Sequence, residues 1–371
     1  MSSFMSASSV SSESASSMSA KRASIYGTGL IGGSIGLALR ERGWHVSGVD
    51  RDPARIAHAL RIGAIDVAGL DPKSDITFVA VPVLGIADAV TEALAKTTGL
   101  VTDVGSVKAP VVAAVDDHRY LGGHPMAGSE QDGLDGANAH MFEGAVWVLT
   151  PTDETDDQAL ADVRAVISSF GADVVALPPA RHDALVAVVS HVPHLTAVTL
   201  MGLAASRAED HAALLRLAAG GFRDMTRIAS GHPAIWPDIC AENRDAIVDT
   251  LAGLIDGLER MRDAVATGNR EVLLDALVTA REARQNLPVR GGARPADLSE
   301  LRIPVPDRVG VLAEITTLAA ELGVDVYDIE IAHSAEGNRG VVIVVIDTSH
   351  SDLLRDGLIA KGYRPSAQPL P

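Results

Sequence analysis

The chain of 371 residues has one cysteine, Cys240, and no long apolar run. A single cysteine excludes an internal disulfide framework and a multi-cysteine metal cluster, and it fits a reducing compartment. Although 47% of the residues are hydrophobic, no stretch approaches the ~18 uninterrupted apolar residues of a membrane-spanning helix. We therefore expect a soluble, cytoplasmic protein that does not cross a membrane.

Basic residues are also scarce, with 31 lysines and arginines against 48 aspartates and glutamates and a net charge of -17. This charge repels nucleic acid backbones and anionic membrane surfaces, so we expect neither as a partner. An anionic small molecule would need its own arginine or helix N-terminus.

The first 20 residues are dominated by serine and have no periodic apolar face, which predicts a disordered tail. No basic residue precedes Lys21, and Glu13 is present, so a targeting peptide is the weaker interpretation. The sequence that forms the fold therefore begins near residue 21.

Residues 21–180 alternate short apolar runs with helical patterns. The order strand, helix, strand begins with residues 24–26, 31–42 and 46–49, and such alternation predicts parallel strands joined by helical crossovers. Further strands are predicted at 76–81, 100–104, 145–149 and 173–177. The pattern indicates an α/β domain of Rossmann type.

Strand signals almost vanish in residues 181–287. Apolar residues there repeat at the spacing of one helical face, as Ile247, Leu251, Leu254, Ile255 and Leu258 do. We predict an all-helical domain, whose apolar stripe packs either on a partner subunit or on the first domain of the same chain.

The carboxyl-terminal part begins after a linker. Prolines and glycines in residues 288–296 interrupt both helix and strand patterns. Residues 297–371 then follow a βαββα order with a last short strand, which is typical of a ferredoxin-like α+β domain.

Gly27, Gly29 and Gly32 follow the first predicted strand and open a predicted helix. In this context the glycines permit a tight turn, a close approach of pyrophosphate to the backbone, and close packing of helix and strand. The predicted cofactor-binding turn comprises Gly27, Thr28, Gly29, Leu30, Ile31 and Gly32.

Asp50 ends the second predicted strand. A carboxylate there accepts hydrogen bonds from the adenosine ribose and repels a 2′-phosphate, which favours NAD over NADP. Arg51 follows it and leaves NADP open, because a guanidinium tolerates a phosphate. Both residues belong to the predicted cofactor site.

Two further loops are predicted at the carboxyl edge of the sheet, where ligands of doubly wound folds bind. Ser106 follows the strand at 100–104, and His124 follows the short run at 120–123. A histidine there can accept a hydroxyl proton near neutral pH, and a serine can hydrogen-bond the same oxygen. We predict that His124 and Ser106 are catalytic.

Histidines and arginines in the helical domain are further candidates. His191 and His194 lie three apart, but no third ligand is evident, so no metal site is predicted. Arg223 and Arg227 lie four apart on one predicted helical face. One arginine in a cleft would bind a carboxylate, although two arginines on a solvated face are the plainer interpretation.

Five motifs occur in order along the chain: GTGLIGGS from Gly27, DVGSVK from Asp103, GGHPMAGSE from Gly122, SHVPH from Ser190 and FRDMTRIA from Phe222. Together they resemble the prephenate and arogenate dehydrogenase family of tyrosine biosynthesis. The resemblance covers residues 21–286 and implies an NAD-dependent enzyme whose helical domains form a homodimer.

Carried over by position, the resemblance implies that His124 accepts the proton of a ring hydroxyl, which Ser106 orients together with the nicotinamide. Arg227 would bind the substrate carboxylate, and His194 would face the substrate side chain. Three further positions are implied near the substrate: Glu130 and Trp236 in the pocket lining, and Gly220 from the neighbouring subunit.

Residues 305–312 look like the first strand-to-helix turn of an ACT domain, an amino-acid-sensing module. The resemblance implies an effector site at Asp307, Arg308 and Gly310. We expect tyrosine or another aromatic amino acid to bind there and to lower the activity.

The implied reaction removes hydride from a cyclohexadienol, whose ring then loses CO2 and becomes aromatic. Prephenate has a keto group where arogenate has an amino group, and no residue in the sequence indicates which of the two is the substrate. A 3-hydroxy-acid dehydrogenase with a lysine in its helical domain is disfavoured, because no lysine occurs between Lys108 and Lys361. A non-catalytic regulator that responds to NAD or an amino acid is the third alternative.

Overall fold

The structure, a computed structural model, describes residues 21–128, 133–206, 218, 220–285, 297–306, 308–333 and 339–369. The predicted tail and linker, and the predicted site residues Glu130 and Asp307, lie outside the described residues. The chain divides into a first unit, Met1–Ala187 with Gly231–Arg244, and a second unit, Val188–Ser230 with Asp245–Pro371.

An eight-stranded sheet of order β3-β2-β1-β4-β5-β6-β7-β8 organises the first unit. Its strands are β1 Arg22–Tyr26, β2 His45–Val49, β3 Val67–Ala68, β4 Ile76–Val79, β5 Leu100–Asp103, β6 Tyr120–Pro125, β7 Val146–Thr150 and β8 Asp173–Ala176. Neighbouring strands from β3 to β6 run parallel, which confirms the Rossmann-type prediction for this part of the chain.

Strand β7 departs from the predicted parallel order, because it pairs antiparallel with β6. A parallel pair needs a crossover, usually an α-helix. Between β6 and β7 the described residues contain only a short 3₁₀ turn, Gly133–Gly136, which cannot carry the chain across the sheet. Strand β8 then pairs parallel with β7 and forms the predicted last strand of the sheet.

Helices flank the sheet and form the segment that follows it. Up to residue 285 the described α-helices are α1 Leu30–Glu41, α2 Pro53–Ile62, α3 Ile86–Lys96, α4 Ala109–Ala114, α5 Asp157–Ser169, α6 Pro179–Val186, α7 Val192–Ser206, α8 Gly220–Thr226, α9 Trp236–Glu242, α10 Arg244–Thr267 and α11 Arg270–Gln285. The nearly strand-free pattern after residue 180 therefore corresponds to helices, as predicted.

Aromatic rings are concentrated in the core of the first unit, although only 3% of the chain is aromatic. Phe78, Phe142, Trp147 and Phe170 are fully buried, and the ring centroids of the pairs in contact lie between 5.1 and 6.4 Å apart. Tilted and edge-to-face rings at these distances attract one another. The cluster joins β4 to β7 and so binds the antiparallel edge to the parallel strands.

The long helix α10 carries the predicted apolar stripe. Ile247 is buried, whereas Ile255 and Leu258 remain 54% and 58% exposed. The helical prediction is confirmed, and among the described residues the outer part of the stripe stays exposed.

One apolar helical stretch, Pro179–Ser206, is long and apolar enough to cross a membrane, among the residues that the structure describes. Length and composition alone are a weak indication, since a core helix passes the same test. The stretch contains four buried polar side chains: His182, Asp183, His191 and His194. The absence of a membrane span stays a prediction.

A separate four-stranded sheet, of order β10-β11-β9-β12, ends the second unit. Its elements in chain order are β9 Leu298–Pro306, α12 Val311–Glu321, β10 Val326–His333, β11 Arg339–Asp347, α13 Ser351–Ala360 and β12 Ser366–Pro369. Every strand pair is antiparallel. The sheet and its two helices enclose their own apolar core, as the βαββα pattern predicts.

Candidate active site

The glycine turn joins β1 to α1 at the carboxyl end of β1. Gly27 has φ +96°, and a Cβ there would lie 2.4 Å from the carbonyl oxygen of Ala80. A Cβ on Gly32 would lie 1.9 Å from the carbonyl oxygen of Gly27, so only glycine fits at both positions. A Cβ on Gly29, by contrast, would meet no protein atom within 4 Å. The space beside Gly29 is open to a ligand.

The N-terminus of α1 faces this turn without a side-chain cap. The first N–H groups of a helix lack partners inside the helix, and the helix dipole places positive charge there. Uncapped N–H groups beside an open glycine are suited to an anion such as pyrophosphate. The turn therefore fits the predicted dinucleotide.

Asp50 lies directly after β2 and is tied to the same turn. Its Oδ2 accepts a hydrogen bond from the N–H of Thr28 at 2.9 Å, and its Oδ1 accepts one from the N–H of Asp52 at 2.9 Å. Oδ2 also accepts a longer hydrogen bond from the hydroxyl of Thr28 at 3.4 Å, whereas Oδ1 has a further lone pair, which can accept a ribose hydroxyl. Arg51 is exposed beside it, so the described side chains also leave room for a 2′-phosphate.

Ser106 and His124 lie toward the sheet edge that carries the glycine turn, because β1, β4, β5 and β6 run in one direction. Ser106 lies in the loop after β5, as predicted. His124, predicted in a loop, instead lies near the end of β6, where it pairs opposite Val148 of β7. The antiparallel partner extends β6 by the two residues that the sequence pattern assigns to the loop.

His124 contacts a second histidine that the sequence pattern does not reveal. Its Nδ1 lies 2.8 Å from Nε2 of His182, and the two rings meet edge to face with centroids 5.0 Å apart. Nδ1 of His182 lies 2.7 Å from Oδ1 of Asp183. His182 is fully buried and Asp183 nearly so. A hydrogen-bonded chain therefore runs from Asp183 through His182 to His124.

The carboxylate of Asp183 determines which atoms donate in this series of hydrogen bonds. An ionised carboxylate only accepts hydrogen bonds, so Nδ1 of His182 must donate to Asp183. In a neutral ring Nε2 of His182 is then an acceptor, and Nδ1 of His124 must donate to it. This assignment leaves the basic lone pair of His124 on Nε2, the nitrogen that a general base at this position would use.

Asp183 is itself held by three backbone and side-chain groups. Its carboxylate oxygens accept the N–H groups of Lys108 and Ala109 at 2.8 Å each, at the start of α4. Its carbonyl oxygen accepts a hydrogen bond from Nδ2 of Asn243 at 2.9 Å. The chain that orients His124 is therefore anchored to the loop that contains Ser106. The adjacent His and Asp after Pro178 and Pro179 are the only sequence signal for it.

The predicted substrate residues that the structure describes lie on four helical elements. In the second unit, α7 carries His194 and packs against the 3₁₀ turn Arg227–Ser230. Burial lowers the pKa of His194, so its ring is neutral near neutral pH. Gly220 begins α8 and is exposed, while Trp236 of the first unit begins α9, which packs against the turn after β4.

Helix α8 carries Arg223 and ends at Thr226, and a 3₁₀ turn continues directly from Arg227. The helical face shared by the two arginines stays a prediction. The convergence of His124 with Arg227 and His194 stays a prediction, because these residues belong to different units.

Two family models match the chain in succession. Residues 35–176 match the nucleotide-binding domain of prephenate dehydrogenase, and residues 178–279 match the dimerization domain of prephenate dehydrogenase. The chain is also 35% identical over 335 residues to the prephenate dehydrogenase of Bacillus subtilis (strain 168), which covers 86% of this chain and 90% of the relative.

Solved structures show the same similarity. Prephenate dehydrogenase from A. aeolicus, in complex with hydroxyphenyl propionate and NAD+, has a TM-score of 0.67 and 30% identity, covering 72% of this chain and 98% of that one. Synechocystis arogenate dehydrogenase has a TM-score of 0.63 and 29% identity, covering 71% and 98%. Residues 297–371 lie beyond both family-model matches.

The hydrogen-bonded chain predicts the effect of replacing His182. His182→Phe fills a similar volume but removes the acceptor for Nδ1–H of His124. We expect the turnover number for NAD reduction to fall at least about tenfold, because the base loses its orientation and its tautomer, while NAD affinity is unchanged. Steady-state kinetics and NAD titration measure both values, and exposed His140→Phe is the matched control. An unchanged turnover number in His182→Phe would show that the chain has no catalytic role.

Proposed function

The chain belongs to the prephenate dehydrogenase family, and on that premise we propose that it oxidises prephenate with NAD to 4-hydroxyphenylpyruvate and CO2 in tyrosine biosynthesis. The observation that carries this proposal is the orientation of His124 by His182 and Asp183, at the sheet edge that also carries the glycine turn. A cytoplasmic location is part of the proposal, and the single cysteine supports it.

The proposed chemistry assigns proton removal to His124. Nε2 of His124 takes the proton of the ring hydroxyl, and Ser106 hydrogen-bonds the same oxygen. The carbon that carried the hydroxyl becomes a carbonyl and loses its hydrogen as hydride, for which bound NAD is the acceptor. The ring carboxylate then leaves as CO2, its electron pair makes the ring aromatic, and the carbonyl oxygen takes a proton to become the phenol.

Substrate recognition is proposed to come from the helical segment. Arg227 would bind the carboxylate of the substrate side chain, because a guanidinium matches a carboxylate in charge and geometry. His194 would contact that side chain as a neutral ring, which its lowered pKa supports. Glu130, Trp236 and Gly220 remain proposed contacts by resemblance.

Arogenate is the second candidate substrate. The similarity to Synechocystis arogenate dehydrogenase favours keeping it. The two substrates share the ring and its carboxylate, so the same His124 chemistry serves both.

Replacing the proposed base tests the reaction. His124→Asn retains a polar side chain of smaller size, so we expect NAD affinity to be retained. We expect turnover to fall by about 10²–10⁴-fold, the usual contribution of a general base. Absorbance of reduced nicotinamide is followed with prephenate, arogenate and a 3-hydroxy acid, with His140→Asn as the control. Full activity in His124→Asn, or turnover of the 3-hydroxy acid alone, would refute the proposal.

We further propose that α10 forms a homodimer. Four large apolar side chains lie at spacings of seven, three and seven on one face of this helix, and all are more than half exposed: Val248, Ile255, Leu258 and Val265. A monomer would leave this stripe in water, whereas a second copy of the same helix would cover it. The match to a dimerization domain model supports this assignment.

A charge placed in the stripe tests the homodimer. We expect wild-type protein to sediment near twice the chain mass of 38.5 kDa. Leu258→Asp would bury a carboxylate in the proposed interface. The variant dimer should therefore dissociate at protein concentrations at which the wild-type dimer is intact. Arg260→Asp, which lies on the opposite face of α10, is the control. A wild-type protein that sediments at 38.5 kDa would contradict the proposal.

The carboxyl-terminal sheet is proposed to be an ACT domain that binds an aromatic amino acid. A cavity of about 430 Å³ opens at the turn between β9 and α12, and Arg308 and Gly310 line it together with Val305, Ile331 and Val342. Gly310 has φ +94° and precedes the uncapped N-terminus of α12. An apolar cavity beside such a terminus suits an amino acid with a ring and a carboxylate.

Removing the proposed ACT domain tests its regulatory role. We expect a chain truncated before Asp297 to keep its basal activity and to lose inhibition by tyrosine, because the cavity is removed and the residues of the active site are not. Inhibition curves with tyrosine and with phenylalanine measure the difference. Inhibition of the truncated chain at the wild-type concentration would place the effect in the active site.

A further inference from the structure

Lys108 and Asp103 form a buried ion pair next to the candidate active site. Both side chains are fully buried, and Nζ of Lys108 contacts Oδ2 of Asp103. Burial lowers the pKa of the Lys108 ammonium, and the carboxylates of Asp103 and Asp183 oppose that shift. The proposed reaction gives neither group a chemical step. Burying two charges costs desolvation free energy. The contacts of the pair with the surrounding backbone indicate what this cost maintains.

The pair holds both backbone groups of Gly123, the residue before His124. Oδ1 of Asp103 accepts the N–H of Gly123 at 3.2 Å, and Nζ of Lys108 donates to the carbonyl oxygen of Gly123 at 2.9 Å. A Cβ on Gly123 would lie 2.8 Å from the carbonyl oxygen of Asp103, so a larger residue would push the strand away. The orientation of the backbone that leads into His124 is therefore set by the ion pair.

The same pair holds the loop that contains Ser106. Oδ2 of Asp103 accepts the N–H of Gly105 at 2.9 Å, and the backbone N–H of Lys108 donates to Asp183 at 2.8 Å. Ser106 lies between these two attachment points. One carboxylate thus contacts the residue before Ser106 and the residue before His124.

Regular pairing between β5 and β6 does not reach Gly123. The ladder between β5 and β6 ends at the pair Thr102 and Leu121, two residues before Gly123. The ion pair continues the connection between the two strand ends beyond that point. The hydroxyl of Tyr120 donates a further hydrogen bond to Oδ1 of Asp103 at 2.8 Å.

We propose that Lys108 and Asp103 are positioning residues, which set Ser106 and His124 at the separation that hydride and proton removal require. The proposal rests on the proposed function, because that function gives Ser106 and His124 a common target. A displacement of about 1 Å in such a pair can lower turnover by about 10²-fold.

Single and double substitutions separate positioning from stability. Lys108→Met keeps the length of the side chain but leaves Asp103 without its cation, so we expect lower thermal stability and about 10²-fold lower turnover. The double variant Lys108→Met with Asp103→Asn removes both charges, so stability should recover. Turnover per NAD-binding site should stay low, because the contact with the carbonyl oxygen of Gly123 is still lost. Tyr120→Phe, which spares Gly123, is the control and should keep near wild-type turnover.

Recovery of turnover together with stability in the double variant would overturn the proposal and leave the pair a structural role. If Lys108→Met does not fold, the double variant carries the comparison alone, with Tyr120→Phe beside it. The ring ¹⁵N signals of His124 test positioning without any substrate, so they remain informative if the wild type turns over neither prephenate nor arogenate. We expect those signals to shift in the double variant and not in Tyr120→Phe, and unshifted signals in the double variant would overturn the proposal.

Discussion

The hydrogen bond between His182 and His124 is the interaction on which the candidate site depends. A histidine at a strand end can rotate and can carry its proton on either nitrogen, and both freedoms would weaken it as a base. Asp183 removes both at once, since its carboxylate determines the donor direction through His182. Because the backbone of α4 in turn holds Asp183, the base is coupled to the loop on the neighbouring strand.

Electrostatics acts locally in this acidic protein. The chain carries a net charge of -17, yet the proposed cofactor and substrate are both anions. The uncapped start of α1 and the open side of Gly29 offer oriented N–H groups to a pyrophosphate at short range. Arg227 is proposed to serve the substrate carboxylate in the same local manner. We expect the net charge to limit nonspecific polyanion binding, while such local sites attract individual anions.

The parts of the chain differ in how far they bury their apolar surface. The eight-stranded sheet is covered by helices and an aromatic cluster, and the carboxyl-terminal sheet has its own core. Helix α10 instead keeps an apolar stripe exposed. This difference is consistent with a protein whose first sheet carries chemistry, whose long helix carries assembly, and whose last sheet carries regulation, as proposed.

Local signals in the sequence determined the glycine turn, the position of Asp50, the parallel strands β1, β2, β4 and β5, and the βαββα order, because short-range periodicity and backbone sterics encode them. Only the tertiary structure decided the direction of β7, which depends on the lack of a crossover helix among the residues described between β6 and β7. It alone also joined His182 to His124 across 58 residues and buried Lys108 against Gly123. Such contacts leave no periodic trace, since each partner looks ordinary until the fold places it beside the other.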